Sequence, residues 1–278
     1  MRGQLLKITT HVLLISISLI MLLPTFWTII SSLKPTQDIF GDLSPLSYRV
    51  FIPQRVTFEH YKEAFSRYPL LRFFINSVIV AAIVTFTGLI INSLAGYSLA
   101  RFRYPGRRWI YGLVLVTMMM PFEVIVIPLY LVVKEIRLIN TFYALILPIV
   151  THEISIFLFY QFFQEIPQSI EESAYIDGAS YFNIWLKIIL PMSKPVFVTA
   201  TLLHFTTTWN AFFWPLVAVN KQDLLVYQIG VVYFKTDFWI SWGALFAATT
   251  VGMLPVLLLF IALQKFYVRG VALTGLKE

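Results

Sequence analysis

Cysteine is absent from this chain of 278 residues, and charged residues make up only 13% of it. Without cysteine the chain forms no disulfide, no thiolate nucleophile and no cysteine-ligated zinc site. The four histidines are scattered at positions 11, 60, 152 and 204, and none stands in the His-Glu-x-x-His spacing of a zinc protease. We therefore predict no metal site and no catalytic residue in this chain.

Polar residues are also scarce. A soluble domain is about 45–50% apolar and about 25% charged, whereas this chain is 58% hydrophobic and has too few polar side chains to cover a water-soluble globule. The net charge of +7 comes from basic residues in short segments between apolar runs, the arrangement of loops that meet water and lipid headgroups. The composition predicts an integral membrane protein without a nucleic-acid partner.

Six long stretches carry almost no Asp, Glu, Lys or Arg: 8–33, 73–100, 109–133, 138–164, 195–220 and 238–264. A helix needs about 20 apolar residues to cross the hydrocarbon core, whereas a barrel strand needs only about 10 in an alternating pattern. These lengths predict an all-α membrane protein with six transmembrane helices. Pro24 should bend the first helix, and Pro121 and Pro128 should bend the third.

The connection 167–195, between the fourth and fifth stretches, carries signals of two helices. Ser169 followed by Glu172 is a capping box that predicts a helix start, and Gly178 stands where a left-handed residue would end that helix. Ser180 is a candidate N-cap for a second helix. The apolar residues of that helix fall on one face: Phe182, Trp185, Leu186 and Ile189. We predict a helix–turn–helix with an exposed polar face.

The string Glu-Ser-Ala-Tyr-Ile-Asp-Gly at residues 172–178 is followed, after nine residues, by Ile-Ile-Leu-Pro at 188–191. It resembles the cytoplasmic "EAA" coupling loop of ABC importer permeases, whose pattern is Glu-Ala-Ala, three residues, Gly, nine residues, Ile-x-Leu-Pro. Ser173 replaces the first Ala. Further segments resemble the carbohydrate-type, maltose-permease-like second subunits: residues 31–35, 76–77, 95–106, 127–130, 138–141, 209–210 and 264–270.

This resemblance covers almost the whole chain and implies a function. The chain would be one transmembrane domain, residues 1–278, of a binding-protein-dependent, ATP-driven importer for a sugar or oligosaccharide. The implied partners are a cytosolic ABC ATPase dimer, a second and different six-helix permease, and an extracytoplasmic solute-binding protein. The residues expected to couple transport to the ATPase are Glu172, Ser173, Ala174, Asp177, Gly178, Ile188, Leu190 and Pro191.

The location follows from the same resemblance. It implies a bacterial or archaeal cytoplasmic membrane. The basic turn at residues 101–108 favours a cytoplasmic position for that turn, which places both termini in the cytoplasm. No Gly-x-x-x-x-Gly-Lys-Ser/Thr loop is present to bind ATP. We therefore predict that the chain is not an enzyme, that it carries no cofactor, and that ATP and Mg²⁺ bind to the partner ATPase.

Polar residues inside the membrane stretches are costly and usually face a cavity or a partner. Carboxylates and amides beside aromatic rings suit sugar hydroxyls, so the candidate substrate-pathway residues are Glu123, Glu153, Trp209 and Asn210. Neighbours in a helix point about 100° apart, and for that reason His152 and Glu153 should not face the same way. The alternative role of such side chains is hydrogen bonding between helices.

Other functions stay open at this point. A secondary transporter or channel would need inverted repeats or a selectivity motif, and no clear repeat links the two halves of the chain. An ABC permease for a solute other than a sugar would carry a related loop. A membrane-embedded hydrolase would need a nucleophile and base in register, and no Gly-x-Ser-x-Gly occurs.

Overall fold

The computed structural model describes residues 2–43, 47–235 and 240–274. These ranges contain no β-strand, only an isolated antiparallel bridge between Lys235 and Ile240. The chain divides into two compact units, one formed by Met1–Leu71 with Gly230–Leu254 and the other by Arg72–Ile229 with Pro255–Glu278. The all-α prediction is therefore confirmed for the residues that the structure describes.

The first unit begins with one long apolar helix. Its helices are α1 (Arg2–Ser32), α2 (Thr36–Gly41) and α3 (Glu59–Arg67), with a 3₁₀ turn at Tyr48–Val50. The segment after α1 folds back on its end, because Thr57 N donates to the Leu33 carbonyl at 2.8 Å and His60 Nε2 donates to the Lys34 carbonyl at 2.8 Å. The buried Lys34 ammonium lies 3.0 Å from Asp42.

The second unit contains most of the helices. In chain order the remaining helices are α4 (Leu70–Arg101), α5 (Arg107–Met119), α6 (Phe122–Glu135), α7 (Phe142–Ile146), α8 (Glu153–Glu165), α9 (Gln168–Ile176), α10 (Tyr181–Ile184), α11 (Leu190–Met192), α12 (Lys194–Trp209), α13 (Phe213–Ala218), α14 (Tyr227–Val232) and α15 (Trp242–Thr274). Of these, α4, α14 and α15 continue from one unit into the other.

Four helical segments are long and apolar enough to cross a membrane: Leu6–Ser32, Leu70–Arg101, Phe142–Glu165 and Trp242–Phe266. Two bent pairs pass the same test together, α5 with α6 and Tyr181–Met192 with α12. The described residues therefore provide between four and six spans, depending on whether each bent pair is one span. A membrane protein with several apolar helices is confirmed, and the count of six remains a prediction.

The third predicted stretch bends by 111° between α5 and α6, as Pro121 led us to expect. Proline disfavours the α conformation for the residue before it, and Met120 is extended at φ −82° and ψ 124°. Pro24 and Pro128 lie inside α1 and α6 without ending either helix, and a bend at these two positions stays a prediction.

Two other stretches are less continuous than predicted. The fourth, 138–164, starts as a helix only at Phe142 and is interrupted at residues 150–152. The fifth, 195–220, breaks after Trp209 and resumes as α13. Pro215 explains the second break, because its ring would clash with the Ala211 carbonyl of a continuing helix. In the sixth, residues 238–239 lie outside the described residues, and α15 starts at Trp242.

Candidate coupling segment and membrane cavity

The segment 167–195, hereafter the coupling segment, contains the predicted pair of helices. The first, α9, starts at Gln168 after Pro167, and no side chain caps it. The predicted capping box at Ser169 is therefore wrong. The cause is Pro167, whose fixed φ is already suited to helix entry and which starts the helix two residues earlier. Ser169 lies inside the helix, where its carbonyl accepts a hydrogen bond from Ser173 Oγ at 2.8 Å.

The turn between the two helices is formed as predicted. Gly178 has a left-handed φ of +85°, its N–H donates to the Tyr175 carbonyl, and the Ala179 N–H donates to the Ala174 carbonyl, both at 3.0 Å. This pair of bonds is the Schellman ending of a helix. Ser180 then caps α10 by accepting a hydrogen bond from Asn183 N at 3.3 Å.

The second helix buries only part of its predicted apolar stripe. Trp185 and Ile189 are buried, whereas Phe182 and Leu186 are 58% and 43% exposed. Within this chain the stripe is therefore covered only at Trp185 and Ile189, and the common face stays a prediction for Phe182 and Leu186. Residues Trp185–Ile189 form a π-helical turn, which changes the helical periodicity on which the stripe depends. Ile184 is buried as well, at 1% exposure.

The buried side of the coupling segment packs against three membrane helices. The apolar cluster that it joins consists of Tyr97 and Ala100 of α4, Phe159 and Phe163 of α8, Ile166, Ile184, Trp185, Ile189, and Val196 and Ala200 of α12. Ala174, Ile188 and Leu190 pack against this cluster and are half-buried. Burial of this apolar surface stabilises the packing of the segment against the membrane helices.

The other expected coupling residues are exposed: Glu172, Ser173, Asp177, Gly178 and Pro191. Exposed apolar side chains accompany them, among them Ile176 and Phe182. A β-carbon added to Gly178 would meet nothing within 4 Å, so this glycine is required by its φ and not by packing within the chain. The structure thus separates the eight expected residues into an exposed group of five and a half-buried group of three.

Glu171, which the sequence analysis did not single out, is buried within the coupling segment, in the first turn of α9. Its Oε2 accepts a hydrogen bond from Tyr97 Oη at 2.8 Å, and its Oε1 lies 2.5 Å from Arg101 Nε. Arg101 Nη2 also donates to the Ile166 carbonyl at 2.7 Å. No local pattern links Arg101 to a residue 70 positions later, so only the tertiary structure reveals this contact.

A cavity of about 640 Å³ opens in the second unit. Its polar lining includes Thr151, His152, Glu153, Thr207, Thr208 and Asn210, and its apolar lining includes Val114, Met120, Phe122, Ile125, Leu129 and Ile156. A volume of this size is in the range of small-molecule sites, which combine apolar walls with a few polar groups. Two of the four candidate substrate-pathway residues, Glu153 and Asn210, therefore line one cavity.

The other two candidates lie elsewhere. Glu123 is exposed in the first turn of α6 and is not among the lining residues. Trp209 is 2% exposed, and its indole packs against the rings of Phe74, Phe205 and Tyr227 at centroid distances of 5.4, 6.0 and 6.2 Å. Packing of this kind makes Trp209 a core residue in this unit.

His152 and Glu153 both line the cavity, although helix geometry predicted that they face different ways. That prediction assumed a continuous helix, but His152 is extended, at φ −131° and ψ 107°, and precedes α8. Asn92 of α4 holds the break, because its Nδ2 donates to the Val150 carbonyl at 3.3 Å and its Oδ1 accepts from His152 N at 3.2 Å. Backbone groups that the helix leaves unpaired are thus satisfied by side chains.

Among residues 2–43, 47–235 and 240–274, no group of three His, Asp or Glu side chains is placed to hold a metal ion.

Two known proteins and one solved structure are similar to this chain over most of its length. The diacetylchitobiose uptake system permease protein NgcG of Streptomyces coelicolor is 33% identical, over 92% of this chain and 84% of that protein. The arabinooligosaccharides transport system permease protein AraQ of Bacillus subtilis is 28% identical, over 98% of this chain and 96% of that protein. The fold matches a chain in the crystal structure of a bacterial ABC transporter involved in alginate import, with a TM-score of 0.81 and 21% identity over 95% and 97% of the two chains.

The family assignment rests on the part of the chain that holds both the coupling segment and the cavity. Residues 92–273 match the family described as binding-protein-dependent transport system inner membrane component. This match covers well over half of the 278 residues, and the chain is therefore a member of that family, a membrane-embedded permease subunit of an ABC transporter.

Proposed function

We propose that this chain is the permease subunit of an importer that carries a sugar or oligosaccharide across the cytoplasmic membrane of a bacterium or archaeon. The observation that carries the proposal is the coupling segment, whose buried residues pack against α4, α8 and α12 and whose acidic residues Glu172 and Asp177 are exposed. The relatives named for diacetylchitobiose and arabinooligosaccharides support a carbohydrate as substrate. Six spans in a single transmembrane domain, residues 1–278, belong to this proposal.

The exposed face of the coupling segment docks on a cytosolic ABC ATPase dimer in this proposal. Glu172 and Asp177 are acidic and solvent-exposed, so they are available to pair with basic side chains of the ATPase. Ser173, Gly178 and Pro191 complete that face, while Ala174, Ile188 and Leu190 hold the segment against the apolar cluster. Closure of the ATPase dimer then moves a rigid pair of helices, and the membrane helices move with it.

The remaining partners and the orientation follow from the family. A second, different six-helix permease completes the pathway, and an extracytoplasmic solute-binding protein delivers the substrate. ATP and Mg²⁺ bind to the ATPase, which performs the hydrolysis, and this chain carries no cofactor. The contact between Arg101 and Glu171 supports placing the basic turn 101–108 and the coupling segment on one side of the membrane, with both termini in the cytoplasm. Residues 275–278 lie outside the described residues.

The cavity supplies the part of the pathway that this subunit contributes. Glu153 and Asn210 accept hydrogen bonds from sugar hydroxyls, and the Asn210 amide also donates to them. The neighbouring Thr207 and Thr208 hydroxyls line the same cavity. Apolar residues of α5 and α6 also line the cavity, and apolar walls suit the apolar faces of a pyranose ring.

Purification of the tagged chain from native membranes in mild detergent tests the assembly, with mass spectrometry of the proteins that accompany it. We expect a P-loop ATPase and a second six-helix permease in a fixed ratio. The absence of an ATPase under several detergents would overturn the proposal. Radiolabelled sugar uptake by vesicles that contain the complex, with the co-encoded binding protein, then identifies the substrate.

Cross-linking tests the docking face directly, and the lack of cysteine gives a clean background. A Ser173→Cys variant, labelled with a photoreactive maleimide, should cross-link to the ATPase, because Ser173 is exposed on the docking face. Leu113→Cys is the control, since Leu113 is 64% exposed on the membrane helix α5. Equal cross-linking yields from both positions would argue against the docking face.

A further inference from the structure

The C-terminus of α4 and the N-terminus of α9 meet at the start of the coupling segment, and these two helix ends favour opposite charges. Arg101 is the last residue of α4, and Glu171 lies in the first turn of α9. A cation at a helix C-terminus and an anion at a helix N-terminus are each stabilised by the helix dipole. The ion pair between Arg101 Nε and Glu171 Oε1 therefore joins the end of one helix to the start of the other.

This ion pair is buried, and both oxygens of its carboxylate have a partner. The side chains of Arg101 and Glu171 are only 7% and 11% exposed. Two charges removed from water are retained only when good geometry and further hydrogen bonds compensate for lost hydration. The additional bond comes from Tyr97, whose Oη donates to the second carboxylate oxygen at 2.8 Å. Both oxygens of Glu171 are thus bound by residues of α4.

The same guanidinium also holds the junction between α8 and α9. Arg101 Nη2 donates to the carbonyl of Ile166, the residue that ends α8 and precedes Pro167. Proline has no N–H and cannot continue the hydrogen bonding of α8 into α9. Arg101 bridges the two sides of this proline, because it contacts the Ile166 carbonyl before it and the Glu171 carboxylate after it.

A close crossing fixes α4 against α8 one turn away. A β-carbon at Gly96 would lie 2.6 Å from Phe159 Cβ and 3.0 Å from Tyr160 N, so the two helices approach through the glycine. At this crossing α4 contacts α8 directly, and at its end it contacts α9 through Arg101. Helices restrained at both places have little freedom to move independently.

We propose that Glu171 is the positioning residue that makes α9 and the cytoplasmic end of α4 move as one body, so that a displacement imposed on the coupling segment reaches the membrane helices. The inference rests on the proposed function of the coupling segment. It assigns different roles to neighbouring carboxylates: Glu172 meets the ATPase, and Glu171 transmits the motion.

The matched substitutions Glu171→Gln and Glu172→Gln separate these roles. The first replaces the buried carboxylate by an amide of the same shape, which forms no ion pair with Arg101. In the purified complex, E171Q should lower ATPase stimulation by substrate-loaded binding protein about tenfold, while the amount of bound ATPase stays at the wild-type level. E172Q should instead reduce the amount of ATPase that remains bound. Wild-type transport and stimulation by E171Q would overturn the proposal.

A smaller substitution tests the same contact with less disturbance of folding. Tyr97→Phe keeps the aromatic ring in the apolar cluster and removes only the hydroxyl that donates to Glu171. It should lower stimulation in the same direction by a smaller factor, about threefold. If E171Q does not accumulate in membranes, wild-type stimulation of the Y97F complex overturns the proposal.

A distance measurement provides a readout that a purely structural role would not move. Spin labels at Ile91 of α4 and Ile176 of α9, both exposed, report the separation of the two helices by pulsed electron resonance. In the wild-type complex this distance should be the same without nucleotide and with ATP, whereas Y97F should broaden it or make it depend on ATP. A wild-type distance that changes with ATP overturns the proposal. A wild-type chain that binds no ATPase overturns the proposed function instead, and this inference with it.

Discussion

The imidazole rings of His152 and His204 are stacked, with their centroids 4.7 Å apart and their planes at 11°. His152 lies in the break before α8, and His204 of α12 donates from Nε2 to the Ile149 carbonyl at 3.0 Å. Asn92 and His204 form hydrogen bonds with backbone groups at residues 149–152, where the helix is interrupted. The break places His152 and Glu153 at the cavity.

Asn92 should be essential for this break. Asn92→Ala leaves the His152 N–H and the Val150 carbonyl without their side-chain partner in a buried site. We expect a loss of about 1–3 kcal/mol in stability, measured by thermal unfolding in detergent. Thr87→Ala is the control, because the Thr87 hydroxyl bonds only within its own helix, to Ile83 O at 2.6 Å and Val84 O at 3.5 Å. Equal stability of the two variants would contradict the role of Asn92.

Gly88 should tolerate no side chain. An added β-carbon would overlap the His204 ring and lie 2.7 Å from the Val150 carbonyl oxygen. We expect Gly88→Ala to cost about 1–3 kcal/mol by overpacking. Gly112→Ala provides the matched control in α5, since nothing lies within 4 Å of its added β-carbon. The prediction fails if thermal unfolding midpoints of the two variants coincide.

Substitution of Gly178 should impair docking more than folding. Asparagine tolerates a left-handed φ, so Gly178→Asn should retain the stability of the isolated chain. Its side chain would project from the proposed docking face, and transport should fall about tenfold. Gly106→Asn is a close control, with a φ of +83° and equally open surroundings. Equal transport by both variants would indicate that Gly178 serves the turn alone.

The two carboxylates of the predicted pathway should behave differently. Glu153 and Glu123 both lie in the first turn of a helix, so Gln at either position loses a similar dipole interaction. Only Glu153 lines the cavity. Because a hydrogen bond to a charged group is worth about 1.5–3 kcal/mol, Glu153→Gln should lower sugar uptake about tenfold or more, and Glu123→Gln should change it little. The opposite ranking would exclude the cavity as the pathway.

Local patterns were sufficient for the elements whose cause is local. The apolar stretches predicted the membrane helices, Pro121 predicted the bend between α5 and α6, and Gly178 with Ser180 predicted the turn of the coupling segment. In each case the determining interaction lies within a few residues: a missing N–H, a positive φ or a side-chain cap. The Ser169 capping box failed because Pro167, two residues earlier, was already sufficient to start the helix.

Contacts between distant residues decided the rest. The motif pointed to Glu172, yet its neighbour Glu171 is the buried carboxylate, because only the packing of α9 against α4 determines which of two adjacent acids faces Arg101. The helix break at His152 depends on Asn92 and His204, which lie 60 and 52 positions away. The sequence by itself determined a helical membrane protein and the family to which it belongs, because apolar length and motif spacing are properties of the linear chain. The tertiary structure alone decided which polar groups are paired, buried or open to the cavity, because those depend on side chains brought together from different helices.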